Sequence, residues 1–262
     1  KEFDVSLDEL HNDSTTVSFY GAYEEASAEA KRGKRTRLAI TFGHSKDHRP
    51  DLKQLLYILT VSDDGGVPLY FTTASGNVTD DTTHRETWDL LRQLVGHSDF
   101  LYVADCKLAT RENLQYIHNQ HGRFVTILPR TRREDSEFRQ QLLTSLDAVT
   151  WEHLYDDTND QEEIVDRLRV CTQDTLSSEG FRLLWYHSTR KAERDAKARA
   201  RTLDRVSQEL AQLQSRLHSS RTRFRQRDKV EQAVKDILSH GDAGRWLHVQ
   251  ILEFEEETFK QS

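Results

Sequence analysis

Methionine is absent from all 262 residues. A chain of this length ordinarily carries several and needs an initiator. The sequence is therefore expected to be an excised segment, incomplete at both ends. Cysteine is nearly absent: Cys106 and Cys171 cannot build a disulfide framework, so a reducing, cytosolic setting is expected. Cys106 has no histidine beside it in sequence and reads as a small buried residue rather than a nucleophile. No apolar run reaches the roughly 18 residues that a membrane helix needs. The first residues, Lys1-Glu2-Phe3-Asp4, show no signal-peptide pattern.

What is present is charge. Charged residues make up 31% of the chain against 35% hydrophobic, so a core is feasible but much charge must sit on a large or extended surface. The net charge of -7 is uneven. Between Arg190 and Lys229 there are 13 Lys and Arg against 5 Asp and Glu, a basic element on an acidic body.

One acidic residue stands out. Asp105 ends the apolar run Phe100-Leu101-Tyr102-Val103-Ala104, which reads as a buried strand. A carboxylate at the tip of such a strand projects into the crevice where open α/β sheets bind ligands. Asp13 lies inside another strand-like segment, residues 9–20.

Between these two the pattern continues. Residues 24–35 read as an exposed loop or short helix, and 38–42 as a second short strand. Residues 55–62 and 67–73 form a hairpin around the turn Asp63-Asp64-Gly65-Gly66. Trp88, Leu91, Leu94 and Val95 recur at helical spacing within 80–95. A helix is predicted over 110–121 with Thr110 as N-cap, and a strand over 124–128 closed by Pro129. An antiparallel hairpin followed by right-handed parallel crossovers gives an α/β fold, an RNase H-like mixed sheet flanked by helices. Its first and fourth strands lie side by side, which makes Asp13 and Asp105 neighbours.

The division is expected at residues 130/131, with a mainly helical insertion or extension beyond it. There, 133–146 reads as helix, 149–155 as a short strand, 156–163 as an acidic loop, and 181–186 as a strand. A long helix follows over 189–224, then a second over 229–238, and a closing strand over 246–254. In the long helix Leu203, Val206, Leu210, Leu213 and Leu217 alternate spacings of three and four. That seam is expected to pack on the body or on a second protomer, while the arginine face is open to DNA or solvent.

Five segments, in order, resemble one family. They are Asp13-Ser14-Thr15, the stretch from Phe42 to Gln54 (Phe-Gly-His-Ser-Lys-Asp-His-Arg-Pro-Asp-Leu-Lys-Gln), Gly76-Asn77-Val78-Thr79-Asp80, Val103-Ala104-Asp105 and Gly122-Arg123-Phe124-Val125-Thr126. Together they resemble bacterial insertion-sequence transposases with a DDE catalytic domain, in the IS-four-like superfamily. The resemblance covers residues 8–130 and is looser beyond.

It implies metal-dependent cleavage and strand transfer on DNA, with Asp13 and Asp105 as catalytic Mg²⁺ ligands and Mn²⁺ as a substitute. It also implies a homo-oligomer in the synaptic complex, acting in the bacterial cytosol in association with the nucleoid. The third acid of the family is a glutamate on a late helix, flanked by Tyr, Arg and Lys at fixed spacings. Tyr186, Arg190, Glu193 and Lys197 do not reproduce those spacings, and Glu255 to Glu257 lack the flanking residues. That acid is expected downstream of Ser262, leaving the present chain inactive alone.

Lys46, Arg49 and Lys53 are candidates for DNA phosphate contact. His44 and His48 flank Asp47, but no third ligand lies at suitable spacing, so they read as surface polar residues. Two other readings stay open: an RNase H-like nuclease, and an inactive remnant that binds DNA or protein through its helices.

Overall fold

The computed structural model describes residues 5–24, 31–32, 35–36, 38–145, 149–219, 222, 224 and 226–252. The chain forms two compact units, Lys1–Ala148 with Thr175–Leu183, and Val149–Asp174 with Leu184–Ser262. The break in packing thus falls near residue 148, and a later segment returns to the first unit.

The first unit is built on five strands: β1 (Glu9–Phe19), β2 (Lys53–Ser62), β3 (Pro68–Ser75), β4 (Leu101–Ala104) and β5 (Arg123–Thr126). Their order is β3-β2-β1-β4-β5. The first three pair antiparallel, whereas β4 runs parallel to β1 and β5 parallel to β4. This is the RNase H-like mixed sheet. The antiparallel pair β2–β3 closes through Gly65 and Gly66, both at positive φ, where a side chain would be strained. The two parallel steps cross over through α1 (Asp80–Val95) and α2 (Arg111–Asn119).

Alternation along the strands decides what each face does. Every second residue of β2 is buried, from Gln54 through Leu56, Ile58, Thr60 and Ser62. The same face of β1 and β4 supplies Leu10, Tyr102 and Ala104, which pack with Trp88 and Leu91 of α1 and Leu114 and Ile117 of α2. Trp88 stacks on Phe100 at 6.0 Å between ring centroids. Fully burying large apolar side chains of this kind contributes roughly 1.5–3 kcal/mol each. α1 stops where Gly96 turns left-handed and its N–H bonds Arg92 O, and α2 starts where the Thr110 hydroxyl accepts from Asn113 N.

The expected strand over 38–42 reduces to one bridge, Thr41 with Gln54. Its neighbours bond elsewhere: Ala39 N–H donates to the Ser75 hydroxyl and Ala39 O accepts from Gly76 N–H. No ladder can then extend. In and next to the expected loop over 24–35, residues 31–32 pair with 35–36 as a two-residue ladder, and residues 25–30 and 33–34 lie outside the described residues.

Residues 175–183 join this unit through two devices. Phe181 meets the Phe124 ring edge-on at 5.0 Å, and Arg132 donates to both Glu134 and Glu179. The Arg132 guanidinium and the Ser178 N–H hold the Glu134 carboxyl down at about 2. α3 (Arg133–Thr144) belongs to the same unit.

The second unit holds a three-stranded antiparallel sheet of β6 (Trp151–Thr158), β7 (Ile164–Cys171) and β8 (Tyr186–Ser188). It is thus less helical than its sequence implies. Asp156 to Thr158 extend β6 rather than belonging to an acidic loop, because Arg167 across the ladder pairs with Asp156 and His153 bonds it. α4 (Thr189–Leu217) follows β8, and Asp166 accepts from Ser188, Thr189 and the Arg190 N–H at its first turn. Those donors hold the Asp166 carboxyl at about 2, the Ser188 hydroxyl foremost.

The leucine seam is met within the chain. Leu213 packs against Val230 and Val234 of α5 (Arg227–Ser239), with Leu210, Leu217, Val249 and Ile251 around them. The expected closing strand is not formed over 246–252, whose apolar residues Val249 and Ile251 serve this cluster instead. Residues 253–254, the acids Glu255 to Glu257 and Arg221, Arg223 and Arg225 lie outside the described residues.

Candidate functional site

The parallel register between β1 and β4 ends with Asn12 opposite Ala104. Asp13 and Asp105 are the next residue on each chain. Leu10, Asn12, Tyr102 and Ala104 all point into the core, so alternation sends the Asp13 carboxylate to the opposite face of the sheet, while Asp105 stands one residue beyond the end of β4. Adjacent strands lie roughly 4.8 Å apart. Two acids separated by more than ninety residues in sequence therefore sit side by side. Beneath them, the buried Thr60 hydroxyl donates to Asn12 Oδ1 and fixes β1 against β2.

Each carboxylate is partly engaged. Asp13 Oδ1 accepts from Ser14 N–H at 2.7 Å, and its side chain is 85% exposed. Asp105 Oδ1 accepts the Lys107 N–H, which shapes the turn after β4, and Thr126 on β5 donates to Asp105 O. Both sites thus have a capping function that is compatible with their remaining oxygen lone pairs taking a cation.

Two loops with no order of their own in the sequence meet here. A Cβ on Gly43 would fall 1.8 Å from Gly76 O, and one on Gly76 would fall 2.1 Å from Gln54 O. Only glycine permits the approach. Gln54 seals the contact by donating from Nε2 to Gly76 O. The first loop then carries Lys46 and the second leads into Asp80 at the start of α1.

Lys46 Nζ donates to Ser14 O and to Ser14 Oγ, lies 2.9 Å from Asp80 Oδ2 and 3.9 Å from Asp13 Oδ1. One ammonium is shared by two carboxylates from different elements. Asp80 was not singled out by sequence; its signal was the acid ending the Gly-Asn-Val-Thr-Asp segment, and its side chain is only 12% exposed.

The other basic candidates are engaged elsewhere. Arg49 forms a fork on Asp51 at 2.8 and 2.6 Å and lies over the Tyr20 ring. That pairing raises the guanidinium and lowers Asp51. Lys53 donates to Ala22 O. His44 and His48 are exposed in their loop. Among the described residues, the His and acidic side chains that converge as a possible ligand group are Glu9, His11 and Asp63, with His11 Nε2 2.9 Å from Glu9 Oε1. Cys106 is exposed rather than buried, because it falls in the turn beyond the last paired residue of β4; Cys171 is the buried thiol.

The donor set suits a magnesium-class ion. Carboxylate oxygens are hard ligands, and the Lys46 ammonium already rests against Asp13 as a cation does.

No family model matches the chain, and no curated protein matches it in sequence. Among solved structures, it is similar to a piggyBac transposase in a synaptic complex with hairpin DNA, at TM-score 0.37 and 10% identity, over 69% of this chain and 33% of that one. It is also similar to endonuclease V of Ciona intestinalis in complex with a 24mer DNA containing an inosine followed by a ribo-adenosine. That match has TM-score 0.23 and 8% identity, over 69% of this chain and 71% of that one. The chain thus spans about a third of the transposase's length. Strand order and direction, not these likenesses, define the fold.

Proposed function

We propose that this chain is part of a DNA-processing catalytic domain of the DDE transposase type, in the IS-four-like superfamily, that cleaves and joins phosphodiester strands. The observation that supports it is the juxtaposition of Asp13 and Asp105, each the residue that follows the last pair of the parallel β1–β4 ladder. In this reading both are metal ligands. When bound, Mg²⁺ or Mn²⁺ activates an attacking oxygen and stabilises the leaving one in an in-line displacement at phosphorus. The chain's own contributions are fixed oxygens, a turn at Lys107 that orients Asp105, and a Lys46 ammonium that restrains Asp13.

The partners in this proposal are DNA and a second copy of the chain in a synaptic complex, and the setting is the bacterial cytosol. Lys46 is the best placed of the three basic candidates to meet a phosphate, since it alone among them borders the carboxylates.

Mn²⁺ titration followed by electron paramagnetic resonance tests the reading. Saturable binding is expected, and it is expected to disappear in both Asp13→Ala and Asp105→Ala. Binding that persists unchanged in the two variants overturns the assignment.

A further inference from the structure

We propose that the first half of α4 is a docking surface for double-stranded DNA, on which Arg190, Arg194, Lys197, Arg201 and Arg205 meet the phosphate backbone. The inference lies outside the Asp13 and Asp105 site and does not rest on its metal reading.

Three observations carry it. First, the five cations are spaced four, three, four and four residues apart, which at about 3.6 residues per turn sets them in one stripe along the helix. Second, that stripe lies opposite the packed side. Leu203, Val206, Leu210, Leu213 and Leu217 follow the same rhythm about half a turn away, and Val206 and Leu213 are buried. Residues 190–201 are exposed at every position, and so is Arg205. Third, none of the five side chains forms an ion pair with another described residue, whereas Lys191 beside them is paired to Asp195. Seven Lys and Arg against three Asp and Glu occupy 190–205, in a chain whose net charge is -7. Positive potential is thus concentrated on this rod while the chain as a whole is acidic. Glu193 and Asp204 border the stripe on one side.

Duplex DNA fits this surface better than other acidic partners do. The stripe runs about 22 Å along the helix, against one phosphate charge per roughly 1.7 Å of duplex axis. An anionic membrane needs an apolar flank beside the cations to insert, and the apolar side of α4 is already packed against α5. An acidic protein needs an aromatic or aliphatic anchor near the centre of the patch; the stripe has none. The major groove of B-form DNA admits a helix, whereas that of duplex RNA is too narrow.

Fluorescence anisotropy of a labelled DNA duplex with the whole chain, over a series of salt concentrations, tests the proposal. Arg194→Gln with Arg201→Gln is expected to weaken binding by about tenfold and to lower the slope of log affinity against log salt by about 2. Lys191→Gln with Arg199→Gln removes the same charge from other sides of the helix and is expected to leave the slope near that of the parent. Glutamine keeps a helix propensity close to that of Arg and Lys, and circular dichroism checks that each variant is folded. Glu193→Gln with Asp204→Asn is expected to tighten binding, a gain that unfolding does not mimic. Equal losses in the two cation variants mean general charge attraction and overturn the stripe. No binding by the parent, or binding unchanged by Arg194→Gln with Arg201→Gln, overturns it too. Vesicles of anionic phospholipid and an RNA duplex of the same sequence are run beside the DNA. Binding to either that matches the DNA and falls equally in the stripe variant overturns the assignment to DNA. None of these outcomes bears on Mn²⁺ binding by Asp13 and Asp105, so the two readings fail separately.

Discussion

The two faces of the five-stranded sheet are made by the same strands yet do opposite work. On one face, Leu10, Leu56, Ile58, Tyr102 and Ala104 are sealed from water, and α1 and α2 supply the helical side of that core. On the other, Asp13 stands among side chains that keep much of their surface, including Val17, Phe71 and Val125. A strand's period of two lets a single residue shift separate a core position from a site position. Asn12 is buried and bonded; Asp13, one residue on, is open. The sealed face makes the open one possible. Rigid packing under Asn12 and Ala104 fixes where the next residues project, and a site held by packed strands keeps its geometry better than one held by loops.

The largest expected effect lies on the sealed face. Trp88 is fully buried, stacks on Phe100 and meets Tyr116 edge-on. Trp88→Ala removes that contact area and leaves a cavity that nearby rings can only partly fill. Urea denaturation should show a loss of about 3–5 kcal/mol. A loss below about 1 kcal/mol would mean that the two faces are not distinguished by packing at all.

A middle effect is expected where the open face is assembled. Gly43→Ala places a methyl group 1.8 Å from Gly76 O, a backbone atom that cannot rotate away. The two loops must separate, at a cost of about 1–3 kcal/mol by analogy with overpacked cores. The separation should also pull Lys46 from Asp80, so the ammonium's spectral environment, read by nitrogen-15 side-chain resonance, changes together with stability. A stability loss with an unaltered Lys46 signal would show that the loop contact does not position the lysine.

These contrasts also explain what was legible in the sequence. The strands of the first sheet and the bounds of α1 follow from local periodicity, because apolar residues at spacings of two, or three and four, report burial directly, and the strand order then follows from the hairpin and the right-handed crossovers. Thr110 as a helix cap and the Asp63–Gly66 turn are equally local. Asp13 and Asp105 could be paired because each sits at a definable place on a strand. Asp80 could not, since its relation to Asp13 depends on the close approach of Gly43 and Gly76, a tertiary contact with no periodic signature. The second unit misled for another reason. Its strands are little buried, β6 being exposed on most positions, and carry Glu152, His153, Asp156, Arg167 and Arg169, so they show no apolar alternation. Pairing between charges across the ladder, as in Asp156 with Arg167, replaces burial as the organising force. Cys106 follows an apolar run and so reads as buried, but the strand ends two residues earlier and the turn directs it outward.

The smallest expected effect is the sharpest probe of the open face. Val125 lies on β5 opposite Val103 and is 52% exposed. Val125→Thr keeps the β-branched shape and strand preference and changes one methyl to a hydroxyl. On a face bathed by water the hydroxyl stays solvated, and the stability change by denaturant titration should stay within about 0.5 kcal/mol. A buried valine behaves otherwise, because an unpaired hydroxyl in an apolar contact costs about 1–3 kcal/mol. A loss of that size at Val125 would show that this side of the sheet is covered in solution. It would also mean that Asp13, which projects from the same side, works in a sheltered site rather than an open one.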